Sequence, residues 1–243
     1  WRPQVFSEVV GQEHIVRTLT NALDTGRMAH AYLFAGPRGT GKTTFARLVA
    51  KGLNCEHGPT GAPCDECDNC SRIARGSAVD VMEIDGASNR GIDEIRDLRD
   101  RVAYAPTEGR YKVYIIDEVH MLTNEAFNAL LKVLEEPPSH VVFIFATTEA
   151  HKIPPTILSR CQKFDFRRFS PSQLAAHLKH VASDEKVVAE PQALSLIARH
   201  AEGSMRDALA VMDQCLSADA AELTVSTVTE VLGIVRREAL SEL

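Results

Sequence analysis

No apolar run in this 243-residue chain approaches the ~20 residues that cross a bilayer. Nor does the N-terminus carry the charged, apolar and small-residue zones of a signal peptide. Both absences exclude a membrane-spanning or secreted reading and predict a cytoplasmic protein with no membrane partner. An excess of positive charge is missing as well: 27 Lys and Arg stand against 33 Asp and Glu. A mildly acidic surface does not hold a polyanion by its general field, so any contact with DNA must be local. Dispersed cysteines are lacking too. Of six, four crowd between Cys55 and Cys70, too close together for the disulfide framework of a secreted domain. No internal repeat and no low-complexity stretch stands out.

What is present allows one good core and a second, smaller one: 44% of the residues are apolar. Trp1-Arg2-Pro3 reads as the middle of a longer text, and Glu238 to Leu243 stops inside a helical pattern, so a fragment is expected. Ile15, Leu19, Ala22 and Leu23 recur at helical spacing, with Gly26 as a stop. Ala31 to Ala35 reads as a strand, followed by a loop and a helix from Gly41 to Leu53. Val79 to Ile84 is β-branched, and Ile92, Ile95, Leu98 and Val102 then share a helical face. Lys112 to Ile116 predicts a strand. Phe127, Leu130, Leu131 and Leu134 predict a helix face, and Val141 to Ala146 another strand. Such alternation predicts a parallel sheet covered on both faces. From Ser170 onward strand signals vanish, and helices are expected from Pro171, Pro191, Ser204 and Val225, with Ser170 as a cap, Pro171 at the first helical position and Gly203 between the middle two. The hinge between the two regions falls near Arg167-Arg168-Phe169.

Gly36-Pro37-Arg38-Gly39-Thr40-Gly41-Lys42-Thr43 matches the pattern G-x-x-x-x-G-K-[ST], between a predicted strand and a predicted helix. Glycines let the backbone curl so that successive N–H groups face phosphate oxygens, and the helix N-terminus adds partial positive charge. Lys42 is expected to reach the β- and γ-phosphates of ATP, and the Thr43 hydroxyl to join Mg²⁺. The competing reading is a chance glycine-rich turn. Val113-Tyr114-Ile115-Ile116-Asp117-Glu118 is an apolar strand ending in two acids at the C-terminal edge of the sheet. Asp117 would orient hydrated Mg²⁺ and Glu118 would align and polarise the attacking water. Alone, such a pair reads as a solvated turn; the preceding loop gives it meaning. Cys55, Cys64, Cys67 and Cys70 form C-x₈-C-x₂-C-x₂-C, four thiolates that meet the tetrahedral demand of a closed structural Zn²⁺ site. Free thiols or a redox role compete with that reading. Cys161 and Cys215 are isolated and read as ordinary core cysteines. His14 and His120 are read as structural.

The order of motifs then becomes specific. Val9-Val10-Gly11-Gln12-Glu13, the phosphate loop, the four-cysteine insertion, Asp117-Glu118-Val119-His120, Ala146-Thr147-Thr148 and Ser159-Arg160-Cys161 together resemble the AAA+ clamp-loader family. The insertion and the stretch from Phe127 to Pro138 resemble its bacterial gamma/tau branch, part of DNA polymerase III. The resemblance implies an α/β P-loop NTPase domain over residues 1–168, with a zinc module at 55–70, and a small helical lid over 169–243 that ends before a C-terminal collar. It implies an ATPase within a DNA-directed DNA polymerase holoenzyme. It further implies Thr148 as a sensor near the γ-phosphate, Arg160 as a finger reaching a neighbouring subunit's nucleotide, and Arg206 as a second sensor. Pro3, Val5, Phe6, Val9 and Val10 would line the adenine pocket, although as bare residues they read as core. Partners implied are other clamp-loader subunits of delta and delta-prime type, copies of the chain itself, the sliding clamp and primed template DNA. Two rivals share the fold: a DNA-translocating AAA+ motor of branch-migration type, opposed by the cysteine knuckle and Ser159-Arg160-Cys161, and a non-catalytic scaffold, opposed by the intact loop and Glu118.

Overall fold

The computed structural model describes residues 1–89, 91–218 and 222–233, which form two units. One comprises Arg2–Gly36 and Gly41–Phe166, the other Trp1, Pro37–Thr40 and the chain from Arg167.

In the first unit, helix α1 (Glu13–Thr25) ends on Gly26, whose φ of 67° is a left-handed stop that costs glycine little. Strand β1 (Ala31–Ala35) leads through the phosphate loop into α2 (Lys42–Asn54). There follow α3 (Asp68–Arg75), β2 (Val81–Asp85), α4 (Ile92–Val102), β3 (Lys112–Asp117), α5 (Asn124–Glu135), β4 (Val141–Thr147), the short α6 (Pro155–Leu158) and β5 (Gln162–Asp165). The five strands lie in the order β2-β3-β4-β1-β5, and every pairing is parallel. Alternate residues sort onto two faces, as a pleated strand requires. Tyr32, Phe34, Val113, Ile115, Val142 and Ile144 pack under α1 and α2, while Leu33, Tyr114, Ile116, Phe143 and Phe145 pack under α4 and α5. Because both faces are covered, β1 and β4 are buried at every position, which explains their unbroken apolar runs. Ile95, Leu98 and Val102 of α4 are buried as their spacing predicts; the side chain of Ile92 lies outside the described set. On α5, Phe127, Leu130 and Leu134 are buried, but Leu131 sits at the margin.

In the second unit, Ser170 caps α7 (Pro171–Asp184) with a full capping box: its Oγ accepts from Gln173 N at 3.2 Å and Gln173 Oε1 accepts from Ser170 N at 2.9 Å. Strand β6 (Val188–Ala189), α8 (Pro191–His200), α9 (Met205–Ala218), β7 (Glu222–Leu223) and α10 (Val225–Val231) follow. Leu174, Leu178, Ile197, Met212 and Val228 form its core. The expectation that strands vanish after Ser170 is corrected by β6 and β7, which pair in parallel over two residues each. Two residues are too few to leave a period in sequence. The helical pattern expected from Glu238 to Leu243 lies outside the described residues.

Candidate active site

The phosphate loop leaves the C-terminal end of β1, flanked in the sheet by β4 and β5. In open α/β sheets ligands bind outside that edge, where the strand order switches. Gly36 donates its N–H to Thr147 O at 3.1 Å, and a Cβ there would lie 2.5 Å from Phe166 O, so no side chain fits. Gly41, at φ 97°, caps α2, whose first turn carries no acid. A bare helix N-terminus favours an anion. Beneath it, Phe45 stacks edge-on with Phe166 at 5.0 Å and with Phe6 at 6.2 Å. Such contacts add about 0.5–1.5 kcal/mol each beyond burial and stiffen the base of the loop. Lys42 is buried, and its Nζ donates to Gly36 O at 2.8 Å. The Thr40 hydroxyl donates to Pro37 O at 2.8 Å. The loop's tip, Pro37–Thr40 with Arg38, belongs to the second unit. There Gly39 O accepts from Met205 N at 3.0 Å, and a Cβ on Gly39 would land on the Ser204 hydroxyl.

The acids of β3 meet this loop. Thr43 Oγ1 donates to Asp117 Oδ2 at 2.7 Å, joining two groups 74 positions apart. Asp117 Oδ1 accepts from Glu118 N at 2.9 Å. Glu118 stands at φ 44°, ψ 46°, a left-handed conformation that costs a non-glycine residue about 1–3 kcal/mol and is concentrated at functional sites. Its Oε2 accepts from Thr148 N at 3.2 Å and from Thr148 Oγ1 at 3.0 Å. The structure therefore brings Lys42, Thr43, Asp117, Glu118 and Thr148 to one sheet edge. A hydroxyl and a carboxylate already in contact fit a hard cation such as Mg²⁺, which takes few protein ligands and keeps its waters.

His120, read from sequence as structural, is drawn into the same group. Its Nδ1 lies 3.2 Å from Glu118 Oε2 and 3.0 Å from Thr147 Oγ1, and its Nε2 lies 3.1 Å from Glu149 Oε2. No spacing signal marks a single His beside two acids, so sequence alone had no means of finding this.

Other expected residues lie apart. Arg160 follows α6 and binds Glu135 Oε1 at 2.9 Å and Thr156 O at 2.7 Å. Arg206 is exposed on the first turn of α9, in the second unit. Val9, Val10, Pro3 and Val5 are half-buried, and Val9 packs against the core beneath α2. Phe6 is fully part of that core.

The cysteine insertion runs from the end of α2 into the first turn of α3. The Sγ atoms of Cys55, Cys64, Cys67 and Cys70 all lie within 4.8 Å of one another, with Cys55 and Cys64 at 3.6 Å. Sulfurs about 2.3 Å from a tetrahedral Zn²⁺ are about 3.8 Å apart, so the set fits. N–H groups point at the sulfurs: Cys64 N to Cys55 Sγ at 3.5 Å, Cys67 N to Cys64 Sγ at 3.4 Å and Cys70 N to Cys67 Sγ at 3.5 Å. Such donors favour thiolates. The Cys67 and Glu66 N–H groups bring the Cys64 thiol down to about 6, whereas burial pushes Cys70 up. Cys161 is half-buried against the core, where burial raises it to about 12, and Cys215 is fully buried.

A parallel β2-β3-β4-β1-β5 sheet with this loop and these acids defines an AAA+ ATPase fold. The solved Thermotoga maritima RuvB Holliday junction branch migration motor shares it, with a TM-score of 0.71 at 22% identity over 96% of this chain and 72% of that one. A family model described as "DNA polymerase III, delta subunit" matches residues 11–170, and one described as "DNA polymerase III clamp loader subunit, ATPase lid domain" matches residues 173–219. The chain belongs to the DNA polymerase III clamp-loader family. DNA polymerase III subunit tau of Escherichia coli (strain K12) is 53% identical over 233 residues, which are 96% of this chain and 36% of that protein. The tau subunit of Bacillus subtilis (strain 168) is 53% identical over 243 residues, all of this chain and 43% of that protein. The chain therefore spans less than half the length of either relative. Among the described residues no helix is long and apolar enough to cross a membrane.

Proposed function

We propose that this chain is the ATP-binding and ATP-hydrolysing motor part of a bacterial replicative clamp-loader subunit of the tau/gamma type. It would couple the nucleotide cycle to loading a sliding clamp on primed template DNA in the cytoplasm. The carrying observation is the 2.7 Å contact of Thr43 with Asp117 at the mouth of a strand–loop–helix phosphate cradle. In this reading the amides from Gly36 to Thr43, with Pro37, Arg38, Gly39, Thr40 and Gly41 forming the curl, bind the phosphates. Lys42 exchanges its bond to Gly36 O for the β- and γ-oxygens. Thr43 and Asp117 would hold Mg²⁺, which would supply positive charge against the phosphates. Glu118 aligns and polarises the water, and Thr148, now bonded to Glu118, senses the γ-phosphate. Arg206 is the second sensor, and Val9 and Val10 contact the base.

The same proposal divides the chain into an ATPase domain over 1–168 and a lid over 169–243. It has the chain assemble with copies of itself and with delta- and delta-prime-type subunits, Arg160 completing a neighbour's site. Cys55, Cys64, Cys67 and Cys70 would hold Zn²⁺, which supplies a four-way cross-link with no open position for water. Steady-state ATPase of Lys42→Ala is expected near background, a loss of two orders of magnitude or more on the order of an absent phosphate charge clamp. Turnover at the unsubstituted rate would overturn the hydrolytic reading.

A further inference from the structure

We propose that His120 is a positioning residue for Glu118 and is itself oriented by Glu149, an inference that rests on Glu118 aligning the attacking water. His120 sits in the turn of 3-10 helix Val119–Met121, and its side chain is only 7% exposed. A carboxylate can only accept, so both ring nitrogens carry a hydrogen in this arrangement: Nδ1 to donate toward Glu118 Oε2, and Nε2 to donate toward Glu149 Oε2 at 3.1 Å. That bond sets the plane of the ring and turns Nδ1 toward Glu118 Oε2, at 3.2 Å, and Thr147 Oγ1, at 3.0 Å. Glu149 is in turn held from outside: Lys152 Nζ donates to the same oxygen at 2.8 Å, and Glu149 N donates to Thr147 Oγ1 at 3.0 Å. Glu118 Oε2 thus collects Thr148 N, Thr148 Oγ1 and the His120 ring on one oxygen. A base fixed by a ring that a second carboxylate orients is a triad arrangement, with the final carboxylate acting only through the ring.

The backbone explains why Glu118 needs this support. Its left-handed φ of 44° takes the chain out of the strand's extended conformation, and a long side chain at that turn has rotamers to lose. Thr148, the residue after β4, and His120, in the turn that follows Glu118, both restrain it at Oε2.

Two near-isosteric variants separate the ring nitrogens. His120→Asn keeps a donor near the Nδ1 position and gives up Glu149; His120→Gln keeps a donor toward Glu149 and gives up Glu118. In the full-length chain assembled with its clamp-loader partners, His120→Gln is expected to lower kcat for ATP by about ten- to a hundredfold with KM within about twofold. His120→Asn is expected to stay within about threefold of the unsubstituted kcat. A purely structural His120 would instead lower thermal stability in both variants and leave kcat per folded molecule alike. Equal kcat losses in the two variants, or a fully active His120→Gln, would overturn the proposal. Glu118→Gln run alongside keeps the two readings apart. If Glu118→Gln hydrolyses ATP normally, the role of Glu118 has failed; if it is inactive while His120→Gln is fully active, only the role of His120 has failed.

Discussion

At Asp80 one carboxylate organises a whole loop. Asp80 is 6% exposed, and its oxygens accept from the backbone of Thr107 at 2.8 and 3.0 Å, of Glu108 at 2.7 Å and of Gly109 at 2.7 Å. Burial alone would raise this acid, but the converging N–H groups and the charge of Lys112 outweigh it and hold the group below the usual carboxylate range. A depressed folded value means the stabilisation is complete above the unfolded carboxylate value and is lost as pH falls through the folded one. Asp80→Asn should therefore cost about 1–3 kcal/mol at neutral pH, with the difference from the unsubstituted chain shrinking in acid. Urea midpoints measured across that range check both the size and the sign. None of this was legible from sequence, where Asp80 is one acid inside the strand expected over Val79 to Ile84, a strand that begins only at Val81. The phosphate loop and Asp117 were legible because their chemistry is written in adjacent positions. Asp80 and His120 act through partners such as Gly109 and Glu149, each 29 positions away, and become visible only when the fold brings those partners in.

The cysteine module is tied to helix α2 by a lysine. Lys51, near the end of α2, is 1% exposed, and its Nζ pairs with Asp65, which lies between Cys64 and Cys67. It also donates to Gln4 Oε1 at 2.7 Å and to Gln4 O at 3.2 Å. A buried ammonium is tolerated only while such partners stay in place. Four thiolates holding one Zn²⁺ would fix Asp65 where Lys51 needs it. About one zinc per chain is expected by elemental analysis, and chelation should lower Tm by roughly 5 °C or more, the size of a loss of about 2 kcal/mol in a chain of this length. A metal-free protein of unchanged Tm would refute the zinc assignment. At this scale the alternating strands and helices were readable because buried strands run apolar from end to end. Strand β5 was not: Gln162, Lys163 and Asp165 face solvent at the sheet's edge, and only Phe164 turns inward. Helix α3 was hidden by its overlap with the cysteines, since Cys67 serves as its N-cap and Cys70 as a core residue.

In the proposed assembly, the group that would act between subunits is Arg160. Within this chain it is satisfied: Nη2 meets Glu135 Oε1 at 2.9 Å and Nη1 meets Thr156 O at 2.7 Å. Yet the pair is half in water, with the Arg160 side chain 32% exposed and that of Glu135 52% exposed. Ion pairs of that kind contribute about 0–1 kcal/mol. A guanidinium held so lightly could leave Glu135 at small cost for the proposed neighbour's γ-phosphate, where a planar five-donor fork on a developing phosphoryl charge would be worth several orders of magnitude in rate. Two consequences separate this from a local salt bridge. Arg160→Ala should leave ATP affinity of the isolated chain within about twofold and lower hydrolysis in the assembled complex by about a hundredfold or more. Glu135→Ala should do the reverse of harm, leaving assembled turnover intact or slightly raised because the competing partner for Arg160 is gone. Equilibrium ATP binding to the isolated chain and turnover in the reconstituted complex measure the two arms. If Arg160→Ala weakens binding in the isolated chain as much as it slows the complex, Arg160 serves its own chain, and the next subunit's site must be completed by another residue.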